Sequence, residues 1–318
     1  MTPEDTARQA KAVLDELEKA VVGRRRTLEL VLVGILAGGH VLLEDLPGLG
    51  KTLIARSFAQ VLGLDFARIQ FTPDLLPSDV VGAPLYDQRN AEMVFRPGPV
   101  FTQLLLADEI NRTPPKTQAA LLEAMEERQV SVDGVPRPLP TPFLVAATQN
   151  PVEYEGTYPL PEAQLDRFLM KLTVPVPGRD EEISLLARHA GGFSPRDLTA
   201  AGLRPVAGAP DLDQAAKAVQ TVRVGPEVTA YIVDLCRATR QSPSLRLGVS
   251  PRGATALLGT SRAWAWLAGR DYVTPDDVKA LARPTLRHRI QLRPEAELEG
   301  ASPDGVLDGV LGAVPVPR

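Results

Sequence analysis

The clearest chemical signal in the sequence is an apolar run that ends in a glycine-rich turn. Residues 41–43 are apolar, and Gly50, Lys51 and Thr52 follow the turn at the start of an amphipathic segment. Backbone N–H groups around Gly48 and Gly50 can converge on one anion at the positive end of a helix dipole. Lys51 can then reach the outer phosphates of a nucleotide, and the Thr52 hydroxyl can ligate Mg²⁺. The order strand, glycine loop and helix therefore predicts a phosphate-binding loop.

The loop departs from the full G-x-x-x-x-G-K-[ST] pattern at its first position, where the chain has Asp45. Aspartate tolerates the left-handed backbone better than most residues, so the turn can still form. We expect the Asp45 carboxylate to point away from a bound nucleotide. A glycine-rich turn without any ligand is the structural alternative. The stretch predicted to contact the nucleotide is Pro47, Gly48, Leu49, Gly50, Lys51, Thr52 and Leu53.

A second apolar run, residues 104–107, leads directly into the acids Asp108 and Glu109. Such a pattern is typical of a buried parallel strand that ends at an active site. Asp108 can hold Mg²⁺ through its water shell, whereas Glu109 can orient or deprotonate an attacking water. Adjacent acids at a strand end are usually just solvated. The phosphate-binding loop upstream favours the catalytic interpretation.

Two further polar side chains suit contact with phosphate. Asn150 follows the strand predicted over residues 143–148, and its amide can sense a γ-phosphate and align a water. A turn asparagine before a proline explains Asn150 equally well. Ser250 and Pro251 open a helix and place Arg252 in its first turn, where the helix dipole disfavours a cation. An anion opposite Arg252 explains that placement best.

Composition narrows the class of protein. The chain has 318 residues, which suggests about two domains, and its 44% apolar and 23% charged residues are ordinary globular values. The net charge of −4 makes the whole protein no obvious nucleic-acid binder. Residues 28–43, the longest apolar stretch, are too broken to span a bilayer. With no signal-peptide pattern and a single cysteine, Cys236, we expect a cytoplasmic protein without a disulfide. The three histidines show no metal-ligand spacing, so no structural zinc is expected.

The pattern of elements predicts a two-part chain. Residues 174–178 read Val-Pro-Val-Pro-Gly and mark the boundary. Residues 1–178 combine N-terminal helices with buried strands, which is typical of an α/β core. Residues 179–300 are helical in pattern, and residues 301–318 form a tail whose apolar residues predict a short docking helix.

These motifs, in this order, resemble the MoxR family of AAA+ ATPases over nearly the full length. The resemblance rests on residues 43–52, 107–112, 147–151, 160–168, 250–252 and 269–275. It implies a P-loop NTPase core with a five-stranded parallel sheet, a C-terminal all-helical lid, and ATP with Mg²⁺ bound between subunits of a hexameric ring. Asp45 at the first loop position is similar to a variant within that family.

The resemblance also implies roles for individual residues. Lys51 and Thr52 match Walker A, and Asp108 and Glu109 match Walker B. Asn150 resembles sensor 1. Three further roles concern the base and the neighbouring subunit. Val22 and Gly23 would line the adenine pocket, Arg167 resembles the arginine finger, and Arg252 resembles sensor 2.

Two segments resemble family-specific insertions. Residues 77–101 are similar to the helix-2 insert, and residues 129–135 to the hairpin before sensor 1. In proteins with such an insert the lid can be repositioned, so Arg252 can act in its own subunit or in the next. Arg112 and Arg128 are rival candidates for the finger.

Three functions are consistent with these residues. The first is an ATP-driven remodelling or chaperone-like machine whose partners, by family resemblance, contain von Willebrand factor A domains. The second is a nucleic-acid motor of the related helicase type, which the acidic hairpin tip at residues 131–134 disfavours. The third is an ATP-binding switch with negligible turnover. No N-K-x-D motif indicates a GTPase.

Overall fold

The computed structural model of the protein describes residues 3–44, 50–149, 157–195 and 197–317. Its first half contains two helices followed by alternating strands and helices. In chain order these elements are α1 (Pro3–Glu18), α2 (Arg25–Leu36), β1 (Val41–Glu44), α3 (Lys51–Val61), β2 (Phe66–Gln70), α4 (Pro77–Val81), β3 (Gly82–Asp87), β4 (Glu92–Pro97), β5 (Leu104–Asp108), a 3₁₀ turn (Ile110–Arg112), α5 (Pro115–Glu127), β6 (Gln129–Val132), β7 (Val135–Pro138), β8 (Leu144–Gln149), α6 (Glu162–Leu165) and β9 (Met170–Thr173).

Five parallel strands form the central sheet, in the spatial order β2-β5-β8-β1-β9. The fold class predicted from the sequence is thereby confirmed. The three inner strands, β1, β5 and β8, are buried along nearly their whole length, as expected of continuous apolar runs in a parallel sheet. Because all strands point the same way, their carboxyl ends meet at one edge. Glu44, Asp108 and Gln149 end three neighbouring strands at that edge.

Two antiparallel hairpins project from this core. The segment predicted as an insert folds as α4 followed by the β3–β4 hairpin. The β6–β7 hairpin turns at Asp133 and Gly134, whose φ angles of 54° and 74° suit a two-residue turn, and it extends to Pro138, beyond the expected end at residue 135. The Arg137 guanidinium lies 3.9 Å from the centroid of the Phe95 ring, so the two hairpins touch.

The second half of the chain is mostly helical. Its elements are α7 (Arg179–Ala190), α8 (Ala209–Gln220), α9 (Pro226–Gln241), β10 (Leu245–Leu247), α10 (Pro251–Leu267), α11 (Pro275–Leu286), β11 (Gln291–Leu292), α12 (Pro294–Leu298) and α13 (Pro303–Ala313). Helix α10 begins as predicted, because the Ser250 hydroxyl accepts the Gly253 N–H at 3.3 Å. The antiparallel pair β10–β11 is an addition that the helical pattern did not suggest.

The second half packs directly on the first. Helix α10 contacts α1 and α2, and α11 contacts strand β9. Helix α13 buries Leu307 and Val310. Its Asp308 pairs with Arg283 of α11, and its Asp304 pairs with Arg287, the residue that follows α11. Within the part of the chain that the structure describes, no helix combines the length and the apolar character needed to cross a membrane.

A buried histidine links three elements of the core. His40 precedes β1; its Nδ1 accepts the Val145 N–H at 3.0 Å, and its Nε2 lies 3.1 Å from the Met125 carbonyl oxygen. Burial, with the Arg128 charge nearby, lowers the pKa of His40 from 6.5 to about 3. His40 therefore stays neutral in the folded protein at any ordinary pH.

This neutrality makes the stability of the fold sensitive to acid. The unfolded chain binds a proton at His40 near pH 6.5, whereas the folded chain does so only near pH 3. The stabilisation is therefore complete above pH 6.5 and is lost as the pH falls, by about 2 kcal/mol at pH 5. We expect the urea midpoint to drop between pH 7.5 and pH 5, and to drop less in His40→Gln. Equal drops would contradict this assignment; His288, whose pKa burial also lowers, should account for part of the remaining loss.

Candidate functional site

Those predicted phosphate-binding residues that the structure describes lie at the start of helix α3. Gly50 precedes the helix with a φ of 84°, a left-handed conformation that glycine adopts without strain. Lys51 and Thr52 are the first two helical residues, so both stand at the positive end of the helix dipole. The predicted contacts Pro47, Gly48 and Leu49, and the predicted orientation of Asp45, lie outside the described residues.

A cavity of about 250 Å³ opens beside Gly50, between helix α7 and the turn that joins α1 to α2. Val22 and Leu53, both predicted to contact the nucleotide, line it, while Gly23 packs against Glu181 at the start of α7. The opposite wall includes Leu185, His189 and Phe193, and the two aromatic rings meet edge to face at 5.5 Å. A small, mainly apolar space of this kind suits a flat base, with phosphates outside it at Lys51.

The α7 wall was not predicted from the sequence. Its residues lie beyond the expected domain boundary and match no phosphate or base motif. Helix α7 also has no fully buried residue, so its apolar positions gave only a weak pattern. Leu185 and His189 are four residues apart and so share one helix face, and this spacing is the sequence signal that could have predicted the α7 wall.

The two acids at the end of β5 are held by different partners. Asp108 Oδ1 accepts the Thr148 hydroxyl at 2.7 Å, and its Oδ2 accepts Nη2 of Arg68 at 2.7 Å. Glu109 has a φ of 57°, and its N–H donates to the same Thr148 oxygen at 2.8 Å. Its carboxylate accepts Nε2 of Gln70 at 2.7 Å and lies 3.0 Å from Nε of Arg112. The left-handed turn at Glu109 therefore points the two carboxylates to separate partners.

Arg68 and Gln70 were missed from the sequence. Both lie on β2, two residues apart, so their side chains share one face of the sheet next to β5. Arg112, a rival candidate for the finger, is bound to Glu109 of its own chain.

The described residues fit ATP with Mg²⁺. The contacts that such a ligand requires are all present: an apolar cavity for the base, a lysine at a helix start, and a hydroxyl and a carboxylate at one sheet edge. Oxygen ligands such as Thr52 and Asp108 are those that Mg²⁺ prefers. Asn150, predicted as the γ-phosphate sensor, lies outside the described residues.

The two remaining predicted arginines form a separate cluster. Arg167 Nε lies 3.0 Å from Glu126 Oε2, and Arg252 Nη1 lies 3.4 Å from the other oxygen of the same carboxylate. Arg252 Nε also lies 3.6 Å from Asp166 Oδ2. Both arginines are partly exposed, so they present their charges side by side on one surface. Arg128, the second rival candidate for the arginine finger, instead donates to the backbone carbonyls of Phe143 and Gly38 of its own chain.

Comparison with known proteins identifies the family. The profile for the ATPase family associated with various cellular activities (AAA) matches residues 40–170, and an AAA lid domain profile matches residues 237–309. Protein YeaC of Bacillus subtilis is 50% identical over 96% of this chain and 94% of its own length. Chaperone MoxR1 of Mycobacterium tuberculosis is 42% identical over 95% of this chain and 81% of its own. The crystal structure of a candidate ATPase from Cytophaga hutchinsonii superposes with a TM-score of 0.91 at 40% identity, covering 99% and 97% of the two chains.

Contact between Gly23 and helix α7 provides a test of the base cavity. Gly23 has a φ of 67°, and an added Cβ would lie 2.4 Å from Glu181 Cδ. Gly38 has a φ of 68° with no atom within 4 Å of its Cβ position, so it is a matched control for backbone strain. Both alanine variants should lose about 1–2 kcal/mol of stability, from the left-handed backbone.

Only Gly23→Ala should also push the Glu181 side chain away from the Gly178 N–H, to which it bonds at 2.9 Å, and so loosen the start of α7 and weaken ATP binding. We expect the Kd of a fluorescent ATP analogue to rise about tenfold, equivalent to about 1.4 kcal/mol. Gly38→Ala should keep the wild-type Kd. Equal affinities in the two variants would contradict a contribution of the start of α7 to nucleotide binding.

Proposed function

The chain belongs to the MoxR family of AAA+ ATPases, and we propose that it uses ATP hydrolysis to remodel, assemble or activate partner protein complexes. The observation that carries this proposal is the division of the catalytic groups between two surfaces. The base cavity, Lys51 and the β5 acids lie together, whereas Arg167 and Arg252 share a carboxylate elsewhere. A single chain therefore offers two complementary half-sites.

We propose that the two half-sites meet in a hexameric ring. The finger Arg167 would reach the ATP of the neighbouring subunit, where such an arginine typically raises the rate 10³–10⁵-fold. Arg252 lies beside Arg167 through Glu126, which supports action on the same neighbouring ATP rather than on its own. The sequence left open whether Arg252 acts in its own subunit or in the next, and the shared carboxylate supports the second possibility.

Each residue of the cradle has a physical task. Lys51 and the loop residues Pro47 to Leu49, together with Gly50, bind phosphate, while Val22, Gly23 and Leu53 hold the base. Mg²⁺, when bound, would neutralise charge on the phosphates, and Thr52 and Asp108 are the residues that would hold it. Asn150 would align the attacking water.

Glu109 would accept the proton of that water. In the structure its carboxylate is bound to Gln70 and Arg112. Release from these partners therefore accompanies the proton transfer, since a carboxylate that stays fully hydrogen-bonded is a weaker base.

We propose that the partners are proteins with von Willebrand factor A domains, and that the protein works in the cytoplasm. We also propose the domain division predicted from the sequence, with a boundary at residue 178, a lid over residues 179–300 and a tail over residues 301–318. A nucleic-acid motor is less well supported. The hairpin tip carries Asp133, and the nearby Arg137 is already stacked on Phe95.

Loss of either exposed arginine should reduce turnover without reducing ATP affinity. Arg167→Ala should lower kcat about 10³-fold, and Arg252→Ala should lower it less, because these side chains complete the neighbour's site. Arg223→Ala is the surface control, since the exposed Arg223 guanidinium pairs with exposed Asp271. Steady-state ATPase assays and direct ATP binding measure both quantities. Normal turnover by Arg167→Ala would refute the finger assignment.

Glu109→Gln should bind ATP but cleave it about 10²–10⁴-fold more slowly, because the amide cannot accept the proton. In the ATP-bound state this variant should retain a partner containing a von Willebrand factor A domain, identified by mass spectrometry. Lys51→Ala, which should not bind ATP, is the control and should retain none. ATPase activity stimulated by duplex DNA, and lost steeply with salt, would favour the nucleic-acid motor instead.

A further inference from the structure

A buried arginine stands behind the exposed pair. Arg289 lies shortly after helix α11, and only 3% of its side chain is exposed. Its Nε donates to Asp166 Oδ1 at 2.8 Å, and its Nη2 donates to the Phe168 carbonyl at 2.9 Å. Its Nη1 donates to the Leu169 carbonyl at 3.1 Å and to the Thr285 carbonyl at 2.5 Å. Most of its hydrogen bonds therefore go to one short segment of the core.

That segment is the one that carries Arg167. Helix α6 ends at Leu165 and strand β9 begins at Met170, so residues 166–169 belong to no regular element. Arg289 binds the residue before Arg167 and the two residues after it. The position of this irregular segment consequently depends on a side chain from the second half of the protein.

The contacts continue to the surface as a row of alternating charges. Asp166 lies between Arg289 at 2.8 Å and Arg252 at 3.6 Å. Glu126 lies between Arg252 at 3.4 Å and Arg167 at 3.0 Å. Since each carboxylate joins two guanidinium groups, the buried member sets the spacing of the two exposed ones.

We propose that Arg289 is a positioning residue for hydrolysis in the neighbouring subunit. Anchored to residues 166–169, it holds Arg167 and Arg252 at the separation that one triphosphate requires. It does not touch the nucleotide itself, because its side chain is enclosed within its own chain. The inference rests on the proposed function, in which both exposed arginines act on the neighbour's ATP.

Arginine suits this task better than lysine does. Its planar guanidinium presents five donors in a fixed fork, and the carboxylate and four carbonyls around it accept bonds in several directions. A lysine ammonium would keep the charge but could not hold the same acceptors together. Arg289→Lys therefore tests geometry while avoiding an uncompensated loss of buried charge.

We expect Arg289→Lys to lower kcat by on the order of 10²-fold, because small misplacements of catalytic groups have effects of that size. The Kd for ATP should stay within about threefold of wild type, since the base cavity lies on another surface. Arg287→Lys is the matched control. Arg287 binds Thr173 and Asp304 rather than residues 166–169, so a similar change in melting temperature with unchanged kcat is expected.

Mixed rings separate a role in the neighbour's site from a general loss of structure. Glu109→Gln subunits lack the base but carry intact arginines, whereas Arg289→Lys subunits have the reverse defect. Random assembly of equal amounts should create functional seams at about a quarter of the positions, so activity should reappear in the mixture. Subunit exchange is checked with two affinity tags.

A second mixture, of Glu109→Gln and Arg167→Ala subunits, tests the proposed function separately from the role of Arg289. Recovery with Arg167→Ala but not with Arg289→Lys would overturn the positioning role and leave the proposed function intact. Recovery in neither mixture would overturn action on the neighbour's ATP, and the role of Arg289 with it. Wild-type kcat in Arg289→Lys alone would also overturn the positioning role.

Discussion

The common direction of the five central strands is the constraint on which the rest of the structure depends. Parallel strands deliver every carboxyl end to one edge, so residues far apart in sequence meet there. Lys51 comes shortly after β1 in the chain, Asp108 ends β5 and Glu109 follows it, and β8 lies between β1 and β5. Thr148 on β8 connects the two acids through its hydroxyl, which accepts from the Glu109 backbone and donates to Asp108. In an antiparallel sheet with the same strand order, β8 would run opposite to both of its neighbours, and Thr148 would lie at the other edge, away from the two acids.

The edge carries the predicted nucleotide cradle and the two acids, whereas the arginines that we propose complete phosphoryl transfer lie elsewhere. Arg167 and Arg252 contact Glu126 and Asp166 and are partly exposed. Phosphoryl transfer depends mainly on positioning and charge stabilisation, so a chain that separates these groups links its chemistry to assembly. That link is useful to a machine that must hydrolyse ATP only in an assembled state.

Short-range motifs were the part that the sequence predicted well. The start of helix α3 at Lys51, the end of strand β5 at Asp108 and the start of helix α10 after Ser250 are encoded by neighbouring residues, so local chemistry identifies them. The apolar runs of β1, β5 and β8 likewise predict a buried parallel sheet.

Contacts between distant segments could not be predicted in the same way. Arg68 reaches Asp108 only because β2 pairs with β5, and His189 reaches the base cavity only because α7 folds back beside Gly50. Arg289 gives no local signal at all, since a basic residue after a helix is typically a solvated or dipole-stabilising one. Its importance follows from burial and from the acceptors around it.

The exposed and the buried arginines of this row differ in how easily their ion pairs can be broken, because their environments differ. The pairs of Glu126 with Arg167 and Arg252 are partly exposed, and such pairs contribute about 0–1 kcal/mol each. In the proposed ring, a neighbour's triphosphate, with more charge, would therefore replace the Glu126 carboxylate at little cost. Arg289 is nearly enclosed, and breaking its pair with Asp166 would leave a buried charge uncompensated, at about 3–5 kcal/mol. The exposed end of the row is thus free to change partners while the buried end keeps its place, which is the combination that a reusable site between subunits requires.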